Sequence, residues 1–242
     1  MRNLISAIQF LTILPLGKPG IFDPKGIIRF FPVVGVILGL LLAVFDQAAF
    51  RLWPRPVAAL LDVIFLVAVT GAFHLDGLAD TADGLYGHRS REKALEIMKD
   101  SRIGVMGLVA VVCGLSIKWG GIACLDVHRS LLLIIIPSYA RAGMIFGIRF
   151  LEYGRAEGGT GHSFFAGTPA LQDFWGLIVP VVLSFFLGWK GLWLNVVFLI
   201  LTILILSYYK KRIGCITGDM LGAMNEIIES LLFLMVSAGA MS

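Results

Sequence analysis

Long apolar segments, most of them close to the length of a membrane-spanning helix, are the feature that most constrains this chain. A helix needs about 20 apolar residues to cross the hydrocarbon core of a bilayer. The chain is 58% hydrophobic and only 15% charged, whereas soluble domains carry about 25% charged residues. The candidate spans are 30–50, 57–75, 103–124, 131–150, 172–188, 191–208 and a last stretch that reaches Met241. The sequence therefore predicts an all-α, polytopic membrane bundle in a single domain, residues 1–242, with about 6–8 helices in or along the bilayer.

Two further segments are interpreted as interfacial or re-entrant. Residues 4–14 are too short to span and end at Pro15, and residues 70–87 combine apolar with acidic positions. Within the first full span, Gly35 and Gly39 have the spacing that lets two membrane helices pack closely.

The basic residues predict the orientation. Twelve Lys and Arg residues fall in the loops 15–29, 87–102, 152–169 and 209–218, and four fall in the opposite loops. Because basic loops stay in the cytoplasm, the first group of loops is expected to face it. The protein is then expected in the cytoplasmic (inner) membrane of a bacterium or archaeon. No basic stripe interleaved with aromatic residues is present, so nucleic-acid binding is not expected. The three cysteines form no CxxC pair and indicate neither a disulfide framework nor a zinc site.

Three acids follow the second full span in the stretch Thr70–Gly87. Asp76, Asp80 and Asp83 are spaced i, i+4, i+7, which places them within an arc of roughly 60° on a helix. Such a face suits a hard divalent cation such as Mg²⁺. The alternative is a solvated helix just outside the bilayer. The small residues between the acids are interpreted as room for a substrate to approach.

A second acidic group starts the last helix. Asp219, Glu226 and Glu229 lie in an otherwise apolar segment, and Glu226 falls on the Asp219 face roughly 10 Å deeper. We expect a metal or substrate role for them. For Asp219 alone the alternative is a helix N-terminal acid after a Thr217 cap.

Several cations and one histidine are candidate substrate contacts. Arg141 sits inside an apolar span, where it would bind a phosphate or form an interhelical ion pair with an acid. Lys99 and Arg102 flank Asp100 at the entrance to a span, where they would bind phosphate or extend to the interface. His74 is either a catalytic or binding group or a hydrogen-bonded packing residue. The loop Glu157–His162 (EGGTGH) offers backbone N–H groups but is a weak signal alone.

Together these residues indicate phosphoryl-group transfer at a membrane surface. Carboxylates would hold Mg²⁺ against a diphosphate, while Arg and Lys would neutralise charge on the leaving phosphate. No serine-hydrolase elbow or HExxH motif is present in the sequence.

The motifs that carry these residues resemble the cobalamin synthase (adenosylcobinamide-GDP ribazoletransferase) family. They are HLDGLADTADGL (His74–Leu85), ALEIMKDSRIG (Ala94–Gly104), TGDMLGAMNEIIE (Thr217–Glu229), AIQFLTILP (Ala7–Pro15) and FFPVVG (Phe30–Gly35). The chain departs from the family pattern at Gly214–Cys215, where Gly-Gly is expected, and at Arg155–Gly158, which reads RAEG near the expected RPEG.

The resemblance implies an Mg²⁺-dependent transferase in the nucleotide-loop assembly of vitamin B12. The ribose 3′-hydroxyl of α-ribazole or its 5′-phosphate would attack the cobinamide-linked phosphorus of adenosylcobinamide-GDP and release GMP. By hypothesis Asp76, Asp80, Asp83 and Asp219 hold metal. One of them, or Glu226, accepts the proton. Arg102, Arg141, Lys99, Arg155 and His74 contact substrate. A homo-oligomer is left open.

Two rivals are weaker. CDP-alcohol phosphotransferases also place acids on membrane helices, but their DGxxAR pattern is not met, since Leu78–Ala79–Asp80 follows Asp76–Gly77. An ion-coupled transporter would typically show repeated halves, and no repeat is evident.

Overall fold

The structure is a computed structural model, and it describes residues 2–17, 23–155 and 161–238. The α-helices in these ranges are α1 (Arg2–Leu11), α2 (Pro24–Ile28), α3 (Phe31–Leu52), α4 (Arg55–Thr70), α5 (Phe73–Leu85), α6 (Arg91–Ile97), α7 (Val105–Ala123), α8 (Arg129–Phe150), α9 (Ile178–Ser184), α10 (Trp189–Arg212) and α11 (Gly218–Ser237). Short 3₁₀ helices cover His162–Phe165, Leu171–Leu177 and Phe185–Leu187.

The long helices have the length and composition of membrane spans. Among the described residues, α3, α7, α8, α10 and α11 are each long and apolar enough to cross a bilayer, and α4 with α5 would make a sixth span as a bent pair. The predicted fold class, a helical membrane bundle, is confirmed. Two predicted spans differ in detail: 57–75 ends early at Thr70, and 172–188 is broken into two 3₁₀ turns around α9.

The bend between α4 and α5 is the feature that positions the acidic segment. Gly71 and Ala72 both have left-handed backbone angles (φ of 60° and 58°), which end α4 and turn the chain by 91°. Glycine adopts this conformation at little cost, but for alanine it is unfavourable. Helix α5 therefore runs across the end of the bundle instead of continuing α4.

Helices α8 and α11 form the centre of the bundle. In their apolar windows 83% and 78% of residues are buried, against 22% in α7 and 33% in α10. Gly35 and Gly39 of α3 lie directly against the backbone of α8, where any Cβ atom would overlap Ser138 and Ile134. The close packing predicted for these two glycines is confirmed.

Ion pairs close one end of the bundle. Arg129, at the start of α8, binds Asp46 of α3 at 2.7 Å and Asp62 of α4 at 3.0 Å, and it donates to the Ile122 carbonyl of α7. Both aspartates are buried. A single guanidinium thus ties four helices together at this end.

The opposite end gathers the motifs singled out in the sequence. Helix α5 crosses α11 so closely that a Cβ on Gly77 would come within 2.6 Å of the Asp219 carbonyl oxygen, and one on Gly84 would meet the Met98 side chain at the same distance. Tyr153 and Ile216 pair as an isolated β-bridge, which brings the end of α8 beside the start of α11. The interpretation of the small residues on α5 as room for a substrate is therefore wrong for Gly77 and Gly84, because both serve helix packing.

Candidate active site

The acidic face of α5 contains two kinds of carboxylate. Asp76 is exposed and Asp80 half-buried, and neither side chain makes a hydrogen bond or ion pair with any described residue. Asp83 is different. Its two oxygens accept hydrogen bonds from the backbone N–H groups of Gly104 (2.6 Å) and Gly107 (2.9 Å) at the start of α7. Asp83 thus satisfies N–H groups that the helix leaves unpaired and complements its dipole.

Asp219 supplies the α11 side of the same face. Its carboxylate pairs with the Arg155 guanidinium, and Thr217 both caps α11 through the Met220 N–H and contacts Asp219 at 3.3 Å. Arg155 also donates to the Met98 carbonyl at 3.2 Å. Arg155 and Asp219, which the sequence assigned to substrate and metal, are therefore ion-pair partners in the folded chain.

The Asp80 carboxylate lies among the other charged side chains of this face. Asp76, Asp83, Asp219 and Arg155 all lie close enough to interact electrostatically with its carboxylate. Within the described residues no three His, Cys, Asp or Glu side chains form a ready-made metal cage. Mg²⁺ is usually bound through one or two carboxylates together with substrate phosphates. The oxygens of Asp76 and Asp80, which have no partner among the described residues, therefore fit such an ion, whereas each oxygen of Asp83 already accepts a backbone hydrogen bond.

A second group of charged residues lies in the interior of the bundle. Lys118 of α7 donates to Glu226 and Glu229 of α11, both at 2.7 Å, and Arg141 of α8 pairs with the second oxygen of Glu229. All four side chains are at most 8% exposed. Two cations and two carboxylates balance, as an apolar interior requires. We call these four residues the buried ion cluster.

The buried ion cluster determines where two predicted site residues lie. The interhelical ion pair, the alternative considered for Arg141, is present, and its partner is Glu229. Glu226 is held by Lys118 and borders an internal cavity of about 10 Å³, the space of roughly one water molecule.

Sequence reasoning missed Lys118, although a lysine in the middle of an apolar span was a usable signal. Ionisable residues at such positions call for partners, but the sequence alone does not say which acids those partners are.

His74 points away from the acidic face. It is fully buried, and its Nδ1 lies 3.3 Å from the side-chain nitrogen of Asn225 on α11. The orientation assigned to the Asn225 amide makes Nδ1 the acceptor, which places the ring proton on Nε2. Nε2 is buried and has no hydrogen-bond partner among the described residues. Helix packing at the α5–α11 crossing is thus its visible role.

Lys99 and Arg102 lie on the surface between α6 and α7. Both are exposed, and Arg102 pairs with Asp100 at 2.5 Å. Hydrogen bonds from Arg102 lower the pKa of Asp100 to about 2. Asp83, Arg89 and Arg102 line one cavity of about 330 Å³, so Arg102 lies next to the acidic face. It takes no part in the Arg155–Asp219 ion pair of that face.

Two larger cavities flank the acidic face. One, of about 640 Å³, lies between α5, α7, α10 and α11 and is almost entirely apolar, with Glu226 among its lining residues. The other, of about 410 Å³, is polar and lies at the end of α8, with Arg155 and His162 in its wall. Of the loop 157–162, residues 157–160 lie outside the described residues, and Gly161 packs against Gly218.

Comparison with known proteins gives a consistent result. The sequence model of the family described as cobalamin-5-phosphate synthase matches residues 3–237. A protein of Alkaliphilus metalliredigens named adenosylcobinamide-GDP ribazoletransferase is 39% identical, covering 99% of this chain and 97% of its own. Proteins with the same name from Geotalea daltonii and Clostridium novyi are each 36% identical, over 98% and 97% of this chain and 98% and 96% of theirs. No solved structure matches the fold.

Proposed function

The chain belongs to the cobalamin synthase family, and on that premise we propose that it is an Mg²⁺-dependent adenosylcobinamide-GDP ribazoletransferase of B12 biosynthesis. Its substrates would be adenosylcobinamide-GDP and α-ribazole or its 5′-phosphate. The observation that carries the chemical part of the proposal is the acidic face. Two carboxylates that have no partner among the described residues, Asp76 and Asp80, lie beside the Asp219–Arg155 pair.

The metal assignment rests on the chemistry of these side chains. Asp76 and Asp80 would hold the ion, with Asp219 as a third ligand if its pairing with Arg155 is released. When bound, Mg²⁺ would neutralise charge on the diphosphate and polarise the phosphorus for attack. Asp83 was also predicted to be a ligand, but in the proposal it anchors α7, because both of its oxygens accept backbone hydrogen bonds.

The protein groups would act by positioning and electrostatics. The ribose 3′-oxygen attacks the cobinamide-linked phosphorus, a new P–O bond forms, the bond to the bridging oxygen breaks, and GMP leaves with that oxygen. A carboxylate of the acidic face takes the hydroxyl proton. Arg155, once free of Asp219, would contact the phosphates. Arg102 lines a cavity together with Asp83, and Lys99 is exposed in the same loop between α6 and α7.

Two predicted residues and His74 take other roles in the proposal. Arg141 and Glu226 would have to leave the buried ion cluster to reach a substrate, which would strand a charge in the interior. We therefore assign them to the stability of the bundle, and His74 to the α5–α11 crossing.

The test measures GMP release by the purified protein in lipid nanodiscs. The assay contains adenosylcobinamide-GDP and ribazole phosphate, with and without Mg²⁺. Asp80→Asn and Asp219→Asn should fold but release GMP about two orders of magnitude more slowly, the scale of losing one group that stabilises developing charge. Asp126→Asn is the matched control, because Asp126 is exposed and pairs with Arg55 at the other end. Near-normal GMP release by either active-face variant would overturn the site assignment.

We further propose that the acidic face opens to the cytoplasm. The support is the count of basic residues in the loops at this end.

A further inference from the structure

The polar cavity at the end of α8 has the volume and the lining of a small-molecule binding site. Its volume of about 410 Å³ lies within the range of about 300–1,000 Å³ found for small-molecule sites. Charged and aromatic side chains line it: Arg149, Glu152, Tyr153, Arg155, His162 and Phe165. Arg155 also pairs with Asp219, so the cavity directly adjoins the acidic face.

One wall of the cavity is aromatic. The Tyr153 ring lies 4.9 Å from the Phe165 ring and 5.4 Å from the His162 ring, measured between centroids. The backbone of Tyr153 is fixed by the bridge to Ile216, and the N–H of Gly154 donates to the Ile216 carbonyl at 2.9 Å. A fixed set of aromatic faces is a stacking surface for a heterocyclic base, because every base presents a π-face.

The cavity also contains charged side chains that have no ion-pair partner among the described residues. Arg149 is exposed, lies 5.7 Å from the Phe150 ring centroid, and makes no ion pair within the described residues. Its guanidinium matches phosphate oxygens in a bidentate geometry. Glu152 likewise has no side-chain partner among the described residues, and a carboxylate is a natural acceptor for ribose hydroxyls, as in dinucleotide sites.

We propose that this cavity binds a nucleoside 5′-phosphate, with its base on the aromatic wall, its ribose near Glu152 and its phosphate on Arg149. This inference rests on the proposed transferase function. The lining of the cavity, an aromatic wall with an arginine and a carboxylate, suits a mononucleotide. The same chemistry has two sources in that reaction, the acceptor ribazole 5′-phosphate and the guanosine nucleotide that leaves as GMP.

Direct binding tests the cavity without turnover. Isothermal titration of the full-length protein in nanodiscs with GMP, ribazole 5′-phosphate, guanosine and ribazole separates the contribution of the phosphate from that of the base. Arg149→Gln should weaken binding of one of the two nucleotides about tenfold or more, as expected for a lost hydrogen bond to a charged group, and should leave binding of its nucleoside unchanged. The nucleotide that loses affinity identifies the source.

Two further variants control for a general loss of positive charge and test the aromatic wall. Lys211→Gln removes an exposed cation at the same end of the bundle but outside the cavity, and it should change no affinity. Phe165→Leu should weaken binding of nucleotide and nucleoside alike, because it removes part of the stacking wall. A comparable thermal midpoint for each variant excludes unfolding.

Failure of the nucleotide site and failure of the transferase function give different results. Unchanged affinity of Arg149→Gln for both nucleotides, in protein that still releases GMP, would overturn the cavity as the binding site and leave the transferase function intact. If the wild-type protein released no GMP from the complete mixture, the transferase function itself would be overturned.

Discussion

At the scale of single residues, the acids that the sequence groups together are used in three different ways. Asp76 and Asp80 have no partner in the part of the chain that the structure describes, and Asp83 binds the first turn of α7. Glu226 and Glu229 are neutralised by Lys118 and Arg141. Residue type and spacing do not distinguish these uses. What distinguishes them is which donor another helix brings within hydrogen-bonding distance.

The buried ion cluster makes Lys118 a stability residue. Lys118→Met leaves Glu226 without its cation and Glu229 with only Arg141, and breaking a buried pair in this way costs about 3–5 kcal/mol. We expect a large drop in the midpoint of thermal unfolding in detergent. Lys118→Met combined with Glu226→Gln should recover part of the loss, because the number of buried charges again balances.

The double variant is the discriminating measurement for Lys118. A single variant as stable as the wild type would contradict the role of the buried ion cluster. So would a double variant whose loss equals the sum of the two separate losses, since coupled partners are not additive.

Asp83 provides a prediction that separates an anchoring role from a metal role. Asp83→Ala removes the acceptor for two N–H groups at the start of α7, and losing such a cap costs about 0.5–2 kcal/mol. The thermal midpoint should fall, while the Mg²⁺ concentration that gives half-maximal GMP release should stay the same. A shift of tenfold or more in that concentration would return Asp83 to the metal ligands.

At the scale of secondary-structure elements, the crossing of α5 and α11 defines the acidic face. The bend at Gly71–Ala72 lays α5 across the bundle, and Gly77 lets its backbone approach Asp219. The sequence predicts α5 as a helix from its spacing. It does not predict the crossing, because the left-handed Ala72 that helps to set it carries no glycine or asparagine signal.

Gly77→Ala tests this crossing. The added Cβ would lie 2.6 Å from the Asp219 carbonyl oxygen, so α5 and α11 must separate, at a cost of about 1–3 kcal/mol for overpacking. Both the thermal midpoint and GMP release should fall. Gly120→Ala, on α7, is the control: nothing lies within 4 Å of its Cβ position, and alanine favours helix there. Equal behaviour of the two variants would contradict the close crossing.

At the scale of the whole molecule, the two ends of the bundle are chemically distinct. Arg129, Asp46 and Asp62 form a closed ion-pair group at one end, whereas the other end presents the acidic face and the polar cavity. This asymmetry agrees with an enzyme that meets its soluble substrates from one side. It also makes the orientation measurable.

Cysteine labelling tests the orientation. Cys124 is exposed at the end of α7 near the Arg129 group, and Ser101 is exposed at the end of the acidic face. In a background without Cys113 and Cys215, a membrane-impermeant maleimide should label Cys124 in intact spheroplasts. In protein that also carries Cys124→Ser, Ser101→Cys should be labelled only after lysis. The reverse pattern would place the acidic face outside the cell.

The sequence by itself determined the class of protein and most of its helical spans, and it proposed the residue types of the candidate site. Hydropathy suffices to predict the class and the spans, because only a few backbone structures satisfy all of their hydrogen bonds inside a bilayer. The motifs around Asp76, Asp80 and Asp219 identified the family by their resemblance to its sequences. Only the tertiary structure decided the partners. Ion pairs such as Arg141–Glu229 and Arg155–Asp219 join residues 88 and 64 positions apart, and helix crossings rather than local spacing bring such atoms together.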